Sequence, residues 1–362
     1  MYLKRILLRN FRNYAQTQIL FSPSINFIQG KNGQGKTNLL EAIYLISTGR
    51  SFRTHNLCDL IAFGQKFFYL EAEFEKSGVS QTISIYYDNN GRKVQHDGAT
   101  YSTLHSLLGV IPSILLAPDD ISLITGSPSE RRRFLDLHIA QTDPSYLFHL
   151  GRYFKAMKQR NHLLRSPSLS TITAWEQMMA QSANEIILKR KQAIIDLSAT
   201  LKKWVEILSE ALDEVQIHYH TSPAALIDET NIVDYLQKGF EKMRPKEKEI
   251  GNTLIGPHRD DLSIQLSHKS AKSFSSEGQK RGCISALRFA QWEQMSSLLD
   301  HKPLLGIDDF GIQLDAGRQF QLKHYLSSFK QVFLTSPSFV QEDLSVNSYK
   351  VLQIEKGNII ER

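Results

Sequence analysis

Three glycines, a lysine and a threonine lie close together in the stretch NFIQGKNGQGKTNLLEAIYL near the start of the chain. Gly30, four residues, and then Gly35-Lys36-Thr37 match the spacing G-x-x-x-x-G-K-[ST] of a phosphate-binding loop. Glycines let backbone N–H groups turn toward a polyphosphate, and the helix that follows adds its positive N-terminal end. We expect Lys36 to contact the β- and γ-phosphates of ATP and Thr37 to bind Mg²⁺. The predicted nucleotide-binding residues of the loop are Gly30, Lys31, Asn32, Gly33, Gln34, Gly35, Lys36 and Thr37.

Two adjacent carboxylates end an apolar run in the C-terminal part of the chain. The stretch PLLGIDDF places Asp308 and Asp309 directly after a segment that reads as a buried strand. In triphosphatases the first such carboxylate holds Mg²⁺, and the second orients the attacking water. We therefore expect Asp308 to join Thr37 as a metal ligand, and Asp309 to be the catalytic acid, with Lys36 assisting the same reaction.

A third motif, Ser276-Glu277-Gly278-Gln279, opens a predicted helix and resembles the S-G-G-Q signature of the ABC ATPases. A serine and backbone N–H groups at a helix N-terminus can bind an anion. Ser276, Gly278 and Gln279 are therefore expected to face the γ-phosphate of a nucleotide held by a second subunit, where Ser276 assists catalysis. The alternative is an ordinary helix N-cap, because serine is a preferred capping residue.

Composition favours a globular protein of the cytoplasm. The 362 residues are 41% hydrophobic and 22% charged, which is sufficient for two or three domains. Two cysteines, Cys58 and Cys283, provide no disulfide or metal framework and fit a reducing compartment. No apolar run reaches the roughly 18 residues of a membrane span, so no membrane partner is expected. The net charge of +6 weakly favours an acidic partner such as nucleic acid.

The elements that must position these motifs change in character along the chain. Alternating runs such as FFYLEAEFEK, followed by turn residues, predict an antiparallel sheet beside the nucleotide core. The middle of the chain has helical spacing, with one apolar stripe formed by Ile194, Leu197, Leu201, Val205, Leu208 and Leu212. The predicted division is an ATPase lobe in residues 1–115 and 286–362, interrupted by a mainly helical lobe in residues 116–285 that carries the signature motif at its end.

The helical part is basic. Residues 150–205 contain ten lysines and arginines but three acids. Two interpretations remain open: a solvated helix face, or a track that binds DNA phosphates, with Lys189, Arg190 and Lys191 as candidate contacts.

The order of the three motifs excludes several classes of phosphate-loop protein. Small-molecule kinases and RecA-type motors lack a signature helix between the loop and the aspartate pair. In transporter ATPase subunits the loop and the signature lie closer together than the 240 residues from Lys36 to Ser276.

With these residues assembled, the chain resembles the RecF family of bacterial replication and repair proteins, in the ABC/SMC ATPase group. The resemblance covers nearly the whole chain and rests on LRNFRNY, GKNGQGKTNLLEAIYL, GRSFRT, APDDISLITGSPSERRRFLD, TLIGPHRDDL, SSEGQKR and IDDFGIQLD. It implies an α/β fold similar to a Rad50 head, ATP-dependent homodimerisation, slow ATP hydrolysis, and binding to single-stranded, gapped and duplex DNA. It also implies partnership with RecO and RecR in helping RecA to load, and a place for Arg53 near phosphate or DNA.

Some segments depart from the family pattern or allow two interpretations. Ile312-Gln313 replaces Ser-Glu before Leu314-Asp315, which leaves open an ATP-gated DNA-binding module with negligible turnover. A transporter ATPase subunit is the other alternative. The stretch GPHRDD contains His258, Asp260 and Asp261, and a structural turn is favoured over a metal site because no third ligand follows a recognisable pattern. Arg131, Arg132 and Arg133 are either phosphate contacts or partners of nearby acids.

Overall fold

The structure, a computed structural model, describes residues 1–208, 214–313, 316–337 and 349–360. The chain forms two compact units. Unit 1 holds Met1–Ile121, Thr200–Asp213 and Ser276–Arg362, and unit 2 holds Ser122–Ala199 and Glu214–Ser275.

The first sheet of unit 1 is mainly parallel, and four of its six strands are short runs in which almost every side chain is buried, as expected for strands covered on both faces. The strands are β3 (Ile25–Gln29), β8 (Ser113–Leu116), β12 (Leu304–Ile307), β13 (Val332–Ser336), β14 (Tyr349–Glu355) and β15 (Asn358–Ile360). Their order in the sheet is β15-β14-β3-β13-β12-β8, with only β15 antiparallel.

The second sheet of unit 1 is antiparallel. Its strands are β1 (Tyr2–Phe11), β2 (Tyr14–Leu20), β4 (Phe67–Lys76), β5 (Val79–Asp88), β6 (Gly91–His96) and β7 (Ala99–Tyr101). Their order in the sheet is β2-β1-β4-β5-β6-β7. Alternate side chains of the strand FFYLEAEFEK are buried, which confirms the period-2 pattern of the sequence.

Five α-helices contribute to unit 1 among the residues that the structure describes. They are α1 (Lys36–Thr48), the end of α5 (Ile172–Leu208), α8 (Glu277–Leu298), α9 (Phe310–Gln313) and α10 (Ala316–Lys323). Helix α1 is buried along most of its length, and α8 packs against β8. The indole of Trp204, near the end of α5, lies 5.0 Å from the ring of Phe289 in α8 and 5.9 Å from that of Phe329.

Unit 2 combines helices with a small antiparallel sheet. The helices are α2 (Ser122–Thr125), α3 (Pro128–Ala140), α4 (Pro144–Leu164), most of α5, α6 (Ile232–Ile250) and α7 (Ala271–Phe274). The sheet contains β9 (Val215–His220), β10 (Asp261–Leu266) and β11 (Lys269–Ser270), in the order β11-β10-β9. In the described ranges no helix has both the length and the apolar character that crossing a membrane requires.

The two units differ from the sequence-based division at their edges. Residues 116–121, 200–213 and 276–285, expected in the helical lobe, belong to unit 1. The physical reason is burial: Cys283, Ile284 and Leu287 of α8 are buried in unit 1, and Trp204 joins its aromatic cluster. The predicted stripe of α5 is buried from Ile194 to Leu208, while Leu212 lies outside the described residues.

Candidate nucleotide site

Three neighbouring parallel strands deliver the predicted site residues to one edge of a sheet. The phosphate loop follows β3, Asp308 follows β12, and Thr335 lies near the end of β13, which pairs with both strands. Because the carboxyl ends of parallel strands meet at the same edge, residues far apart in sequence converge there. The structure therefore brings the predicted loop and the predicted aspartate pair together.

The loop approaches the end of β14 so closely that its first position requires glycine. Gly30 has a φ of +153°, and a Cβ atom there would stand 2.4 Å from the carbonyl oxygen of Ile354. Helix α1 begins directly after Gly35, so its free N–H groups face the loop. Both features agree with the predicted polyphosphate cradle.

Lys36 reaches back over the loop that precedes it. Its Nζ donates to the carbonyl oxygens of Gly30 at 2.6 Å and Lys31 at 3.2 Å. Burial lowers the pKa of the Lys36 ammonium, and the charges of Asp309 and Asp308 oppose that shift. The loop therefore holds a partly desolvated cation, which is suited to a phosphate oxygen.

Asp308 is buried and accepts hydrogen bonds from two hydroxyl groups. Thr37 Oγ1 lies 3.0 Å from Asp308 Oδ1, and Thr335 Oγ1 lies 2.8 Å from the same oxygen. Burial raises the pKa of the Asp308 carboxyl, although both hydroxyl hydrogen bonds oppose the increase. A carboxylate and a hydroxyl oxygen at this spacing fit Mg²⁺, which takes oxygen ligands and commonly keeps one or two from protein. Phosphate oxygens and water would complete the shell, since no cluster of three or more metal-binding side chains occurs in the described ranges.

Asp309 is held by its backbone. Its N–H donates to Thr335 Oγ1 at 2.7 Å, and its φ of +52° lies in the left-handed region, which aspartate adopts more readily than most residues. One threonine thus fixes both aspartates, through the carboxylate of Asp308 and the amide of Asp309. Leu314 and Asp315, which follow the altered segment, lie outside the described residues.

A buried carboxylate on helix α1, behind the phosphate loop, joins that helix to the segments LRNFRNY and GRSFRT. Glu41 of α1 accepts two hydrogen bonds of 2.8 Å from the Arg12 guanidinium and one of 2.5 Å from Ser51 Oγ. Arg53 donates to Asn38 Oδ1 at 2.7 Å and lies 3.5 Å from Glu41. Glu41 was missed, although a charged residue between the buried Leu40 and Ala42 of α1 was a usable signal. Arg53 faces α1, and its contact with DNA stays a prediction.

Ser276 is the N-cap of α8, so the capping interpretation of this residue is confirmed. Its Oγ accepts from Gln279 N–H at 3.2 Å, while its own N–H donates to Gln279 Oε1 at 2.9 Å. Ser276, Glu277 and Gly278 are exposed, and Arg318 of α10 donates to the Gly278 carbonyl at 3.3 Å. An exposed, capped helix end is compatible with contact to a second subunit, and that role stays a prediction.

One of the three predicted DNA contacts on α5 is wrong. Arg190 is 1% exposed, and its guanidinium is bound by Asp136 at 2.7 Å and by the Pro257 carbonyl at 2.7 Å, so it cannot reach a phosphate. Arg190 precedes Ile194 by four residues and Leu197 by seven, so helical spacing already placed it on the apolar stripe. Lys189 pairs with Asp143 at 2.8 Å but stays 46% exposed, and Lys191 donates to the Ile227 carbonyl at 2.7 Å.

The stretch GPHRDD forms a structural turn. His258 is linked to the Tyr153 hydroxyl at 2.7 Å and to the Thr253 carbonyl at 3.1 Å. Asp260 accepts from Ser222 N–H at 2.8 Å and from the Tyr219 hydroxyl. Arg131 makes a bidentate pair with Asp261, at 2.7 and 2.9 Å, so of the two interpretations of this arginine the acid partner is the one observed.

A phosphate loop, an aspartate pair and a capped signature helix on one α/β unit define an ATPase head of the ABC/SMC class. A structure of an SMC head bound to the C-winged helix domain of ScpA shares this fold, with a TM-score of 0.59 at 14% identity. The family model for the RecF/RecN/SMC N terminal domain matches residues 2–359.

The particular family follows from closer relatives. The DNA replication and repair protein RecF of Protochlamydia amoebophila (strain UWE25) is 42% identical over 343 residues, covering 94% of this chain and 96% of the relative. The protein of the same name from Chlamydia abortus (strain DSM 27085 / S26/3) is 37% identical over 353 residues, covering 97% and 96%. The chain belongs to the RecF family. The structure of the recombination mediator protein RecF-ATP in the RecFOR pathway superposes with a TM-score of 0.90 at 29% identity, covering all of this chain and 97% of that one.

Proposed function

We propose that the chain is an ATP-dependent DNA-binding protein of replication and recombinational gap repair in the cytoplasm. It binds single-stranded, gapped and duplex DNA, dimerises with ATP, hydrolyses ATP slowly under stimulation by DNA, and helps RecA to load together with RecO and RecR. The observation that carries the proposal is the convergence of Thr37, Asp308 and Thr335 within 3.0 Å beside the phosphate loop. Relatives named for replication and repair, and for the RecFOR pathway, support the biological setting.

Each site residue has a distinct role in this proposal. The loop N–H groups and Lys36 bind the phosphates, and Thr37 and Asp308 would hold Mg²⁺, which when bound would supply positive charge next to the phosphates. Asp309 orients the attacking water from a backbone fixed by Thr335. Ser276, Gly278 and Gln279 close the site of the opposite subunit, so that ATP joins two chains.

A second candidate function for this site has a much lower rate of ATP hydrolysis. The sequence change at Ile312-Gln313 favours an ATP-gated DNA-binding module with negligible hydrolysis. Release of phosphate from labelled ATP, measured with and without gapped DNA, separates the two. Stimulation by DNA supports the enzyme, and equal background rates support the module.

The composite site is tested by mixing two variants that are each defective in a different half. Lys36→Met should abolish ATP binding and ATP-dependent dimerisation, because the loop loses its cation. Ser276→Arg should keep ATP binding but block dimerisation, because a bulky cation replaces the hydroxyl. Mixed dimers contain one intact site, so partial ATP-dependent association should return when the variants are combined. Sedimentation velocity with and without ATP is the measurement.

Two matched control variants test whether the loss of dimerisation comes from the substituted site or from a damaged fold. Lys66→Met removes an exposed lysine elsewhere in unit 1, and Ser273→Arg adds a cation three residues before the cap. Both should dimerise as the wild type does. If Ser276 acts only as a cap, Ser276→Ala and Ser276→Arg should each weaken α8 by about 1 kcal/mol without rescue on mixing. Unchanged ATP affinity in Lys36→Met would overturn the assignment of the loop.

A further inference from the structure

The phosphate loop accepts hydrogen bonds from the turn that joins the last two described strands, β14 and β15. The turn consists of Lys356 and Gly357, between β14 and β15. Gln34, in the loop, accepts the Lys356 N–H on its side-chain Oε1 at 2.7 Å. The backbone oxygen of the same glutamine accepts the Gly357 N–H at 3.0 Å. A side chain at a variable position of the loop motif thus joins the loop to a hairpin more than 300 residues away.

The β1–β2 hairpin at the start of the chain contacts the same turn and the same loop residue. Asn13 Nδ2 donates to the Gln34 backbone oxygen at 2.8 Å, and Thr17 Oγ1 donates to the Gly357 backbone oxygen at 2.9 Å. The packing is close enough that a Cβ atom on Gly357 would lie 2.2 Å from the Asn13 backbone oxygen. Gln34 is therefore fixed from two sides, by Asn13 and by the hairpin turn.

We propose that Gln34 is a positioning residue, which with Asn13 and the turn at Gly357 holds the phosphate loop in its binding conformation before ATP arrives. Glycine-rich segments lose more conformational entropy on ordering than other segments. If the loop is already ordered in the folded protein, less conformational entropy is lost when ATP binds, and the affinity for ATP is higher. The coupling is reciprocal, so bound ATP also tightens the hairpin turn. This inference rests on the proposed ATP site and adds to it the contacts that set its affinity.

The first test replaces the side-chain acceptor and keeps its size. Gln34→Met removes the bond to Lys356 N–H without adding charge near the phosphates. Its dissociation constant for Mg²⁺-ATP should rise about fivefold, the change expected for one hydrogen bond of ordinary net strength. Its melting temperature without nucleotide should stay close to that of the wild type. A purely structural role predicts the reverse, with lower thermal stability and unchanged affinity per folded molecule.

The second test uses two turns with the same backbone. Gly357 has a φ of +77° after Lys356 at +48°, and Gly78, in the β4–β5 turn, has a φ of +80° after Ser77 at +51°. A Cβ atom on Gly78 meets nothing within 4 Å. Both Gly→Ala changes therefore strain a turn, but only Gly357→Ala displaces the contacts with Asn13 and Gln34. Gly357→Ala should weaken ATP binding by at least the factor seen for Gln34→Met, and Gly78→Ala should leave it unchanged.

Hydrogen exchange at the Lys356 and Gly357 amides provides a readout that does not depend on affinity. Exchange there should slow when ATP binds the wild type and accelerate in Gln34→Met. Wild-type affinity in Gln34→Met, or equal weakening by Gly78→Ala, would overturn this inference alone. A wild-type chain that binds no ATP would overturn it together with the proposed function. If Gly357→Ala does not fold, Gln34→Met and the exchange measurement still decide.

Discussion

Asp308 in unit 1 and Asp260 in unit 2 are both buried, yet of the two only Asp260 pairs with a guanidinium among the described residues. Burial raises the pKa of both carboxyls. Asp308 accepts only from the hydroxyls of Thr37 and Thr335 in the described part of the chain. Asp260 accepts from Ser222 N–H and from the Tyr219 hydroxyl, and it also lies 3.3 Å from the guanidinium of Arg190.

The difference shows that the partners, and not burial, separate a binding site from a structural cluster. A carboxylate held by neutral hydroxyls keeps its charge available, so that a cation such as Mg²⁺ can neutralise it. A carboxylate beside a buried guanidinium is already neutralised, and adding a second cation there would be unfavourable. The pair Asp308–Thr37 is therefore suited to bind, whereas the pair Asp260–Arg190 is suited to hold unit 2 together.

The largest expected effect is on the structural side of this comparison. Arg190→Met removes the guanidinium that contacts the buried carboxylate of Asp260 and the partly buried carboxylate of Asp136. The free energy of unfolding should fall by about 3–5 kcal/mol, because a buried charge loses its partner. Urea unfolding followed by circular dichroism measures it. Lys189→Met, the matched control one residue earlier on the exposed face, should cost about 1 kcal/mol or less. Equal decreases in the free energy of unfolding of the two variants would contradict the structural role of Arg190.

A second expected effect lies on the catalytic side. Asp309→Asn keeps the backbone bond to Thr335 but removes the carboxylate that orients water. Hydrolysis should fall by about a hundredfold or more, about 2.7 kcal/mol in the barrier, while ATP binding is retained. Single-turnover hydrolysis and a separate binding titration measure the two quantities. Turnover at the wild-type rate would show that Asp309 is not the catalytic acid.

A pH effect of intermediate size comes from unit 2. The pKa of His258 is lowered from 6.5 to about 4, chiefly by burial and in part by nearby arginine charges, while the hydrogen bond with the Thr253 carbonyl opposes the shift. The unfolded chain therefore binds more protons than the folded chain between those values, and stability falls as the pH drops through this window. The contribution is at most about 1.4 kcal/mol per pH unit. Urea unfolding at pH 7 and pH 5 should show a smaller difference in His258→Gln than in the wild type, and equal differences would exclude this source.

The smallest expected effect tests the exposed basic residues that remain after Arg190 is removed from the DNA-contact hypothesis. Lys155 and Lys158 of α4 and Lys189 of α5 are exposed. If they bind phosphates, changing all three to Gln should lower the slope of log affinity against log salt by roughly 0.7–0.9 for each phosphate that is no longer neutralised. Fluorescence anisotropy with gapped DNA at several salt concentrations measures the slope. Unchanged binding would support the solvated-face interpretation, and weaker binding at an unchanged slope would indicate altered folding.

The sequence by itself determined the chemistry of the nucleotide site. The loop from Gly30 to Thr37, the pair Asp308-Asp309 and the cap at Ser276 are each encoded by residue types at short, fixed spacings, because a turn or a helix end is a local structure. The alternating and continuous apolar runs likewise predicted the two sheets of unit 1, since strand periodicity is set by the backbone. The basic run on α5 was harder to interpret, although its spacing to the apolar stripe already placed Arg190 on the buried face.

Only the tertiary structure decided which distant residues serve the site. Thr335 reaches both aspartates because β13 pairs between β3 and β12. Glu41 accepts hydrogen bonds from Arg12 and Ser51, and Gln34 accepts one from Gly357. A sequence motif with short spacing does not predict these contacts. The physical reason is that hydrogen bonds between segments tens to hundreds of residues apart depend on strand order and register. Strand order and register are fixed by packing of the whole unit, whereas the residue types and the spacing that mark the phosphate loop lie within the eight consecutive residues from Gly30 to Thr37.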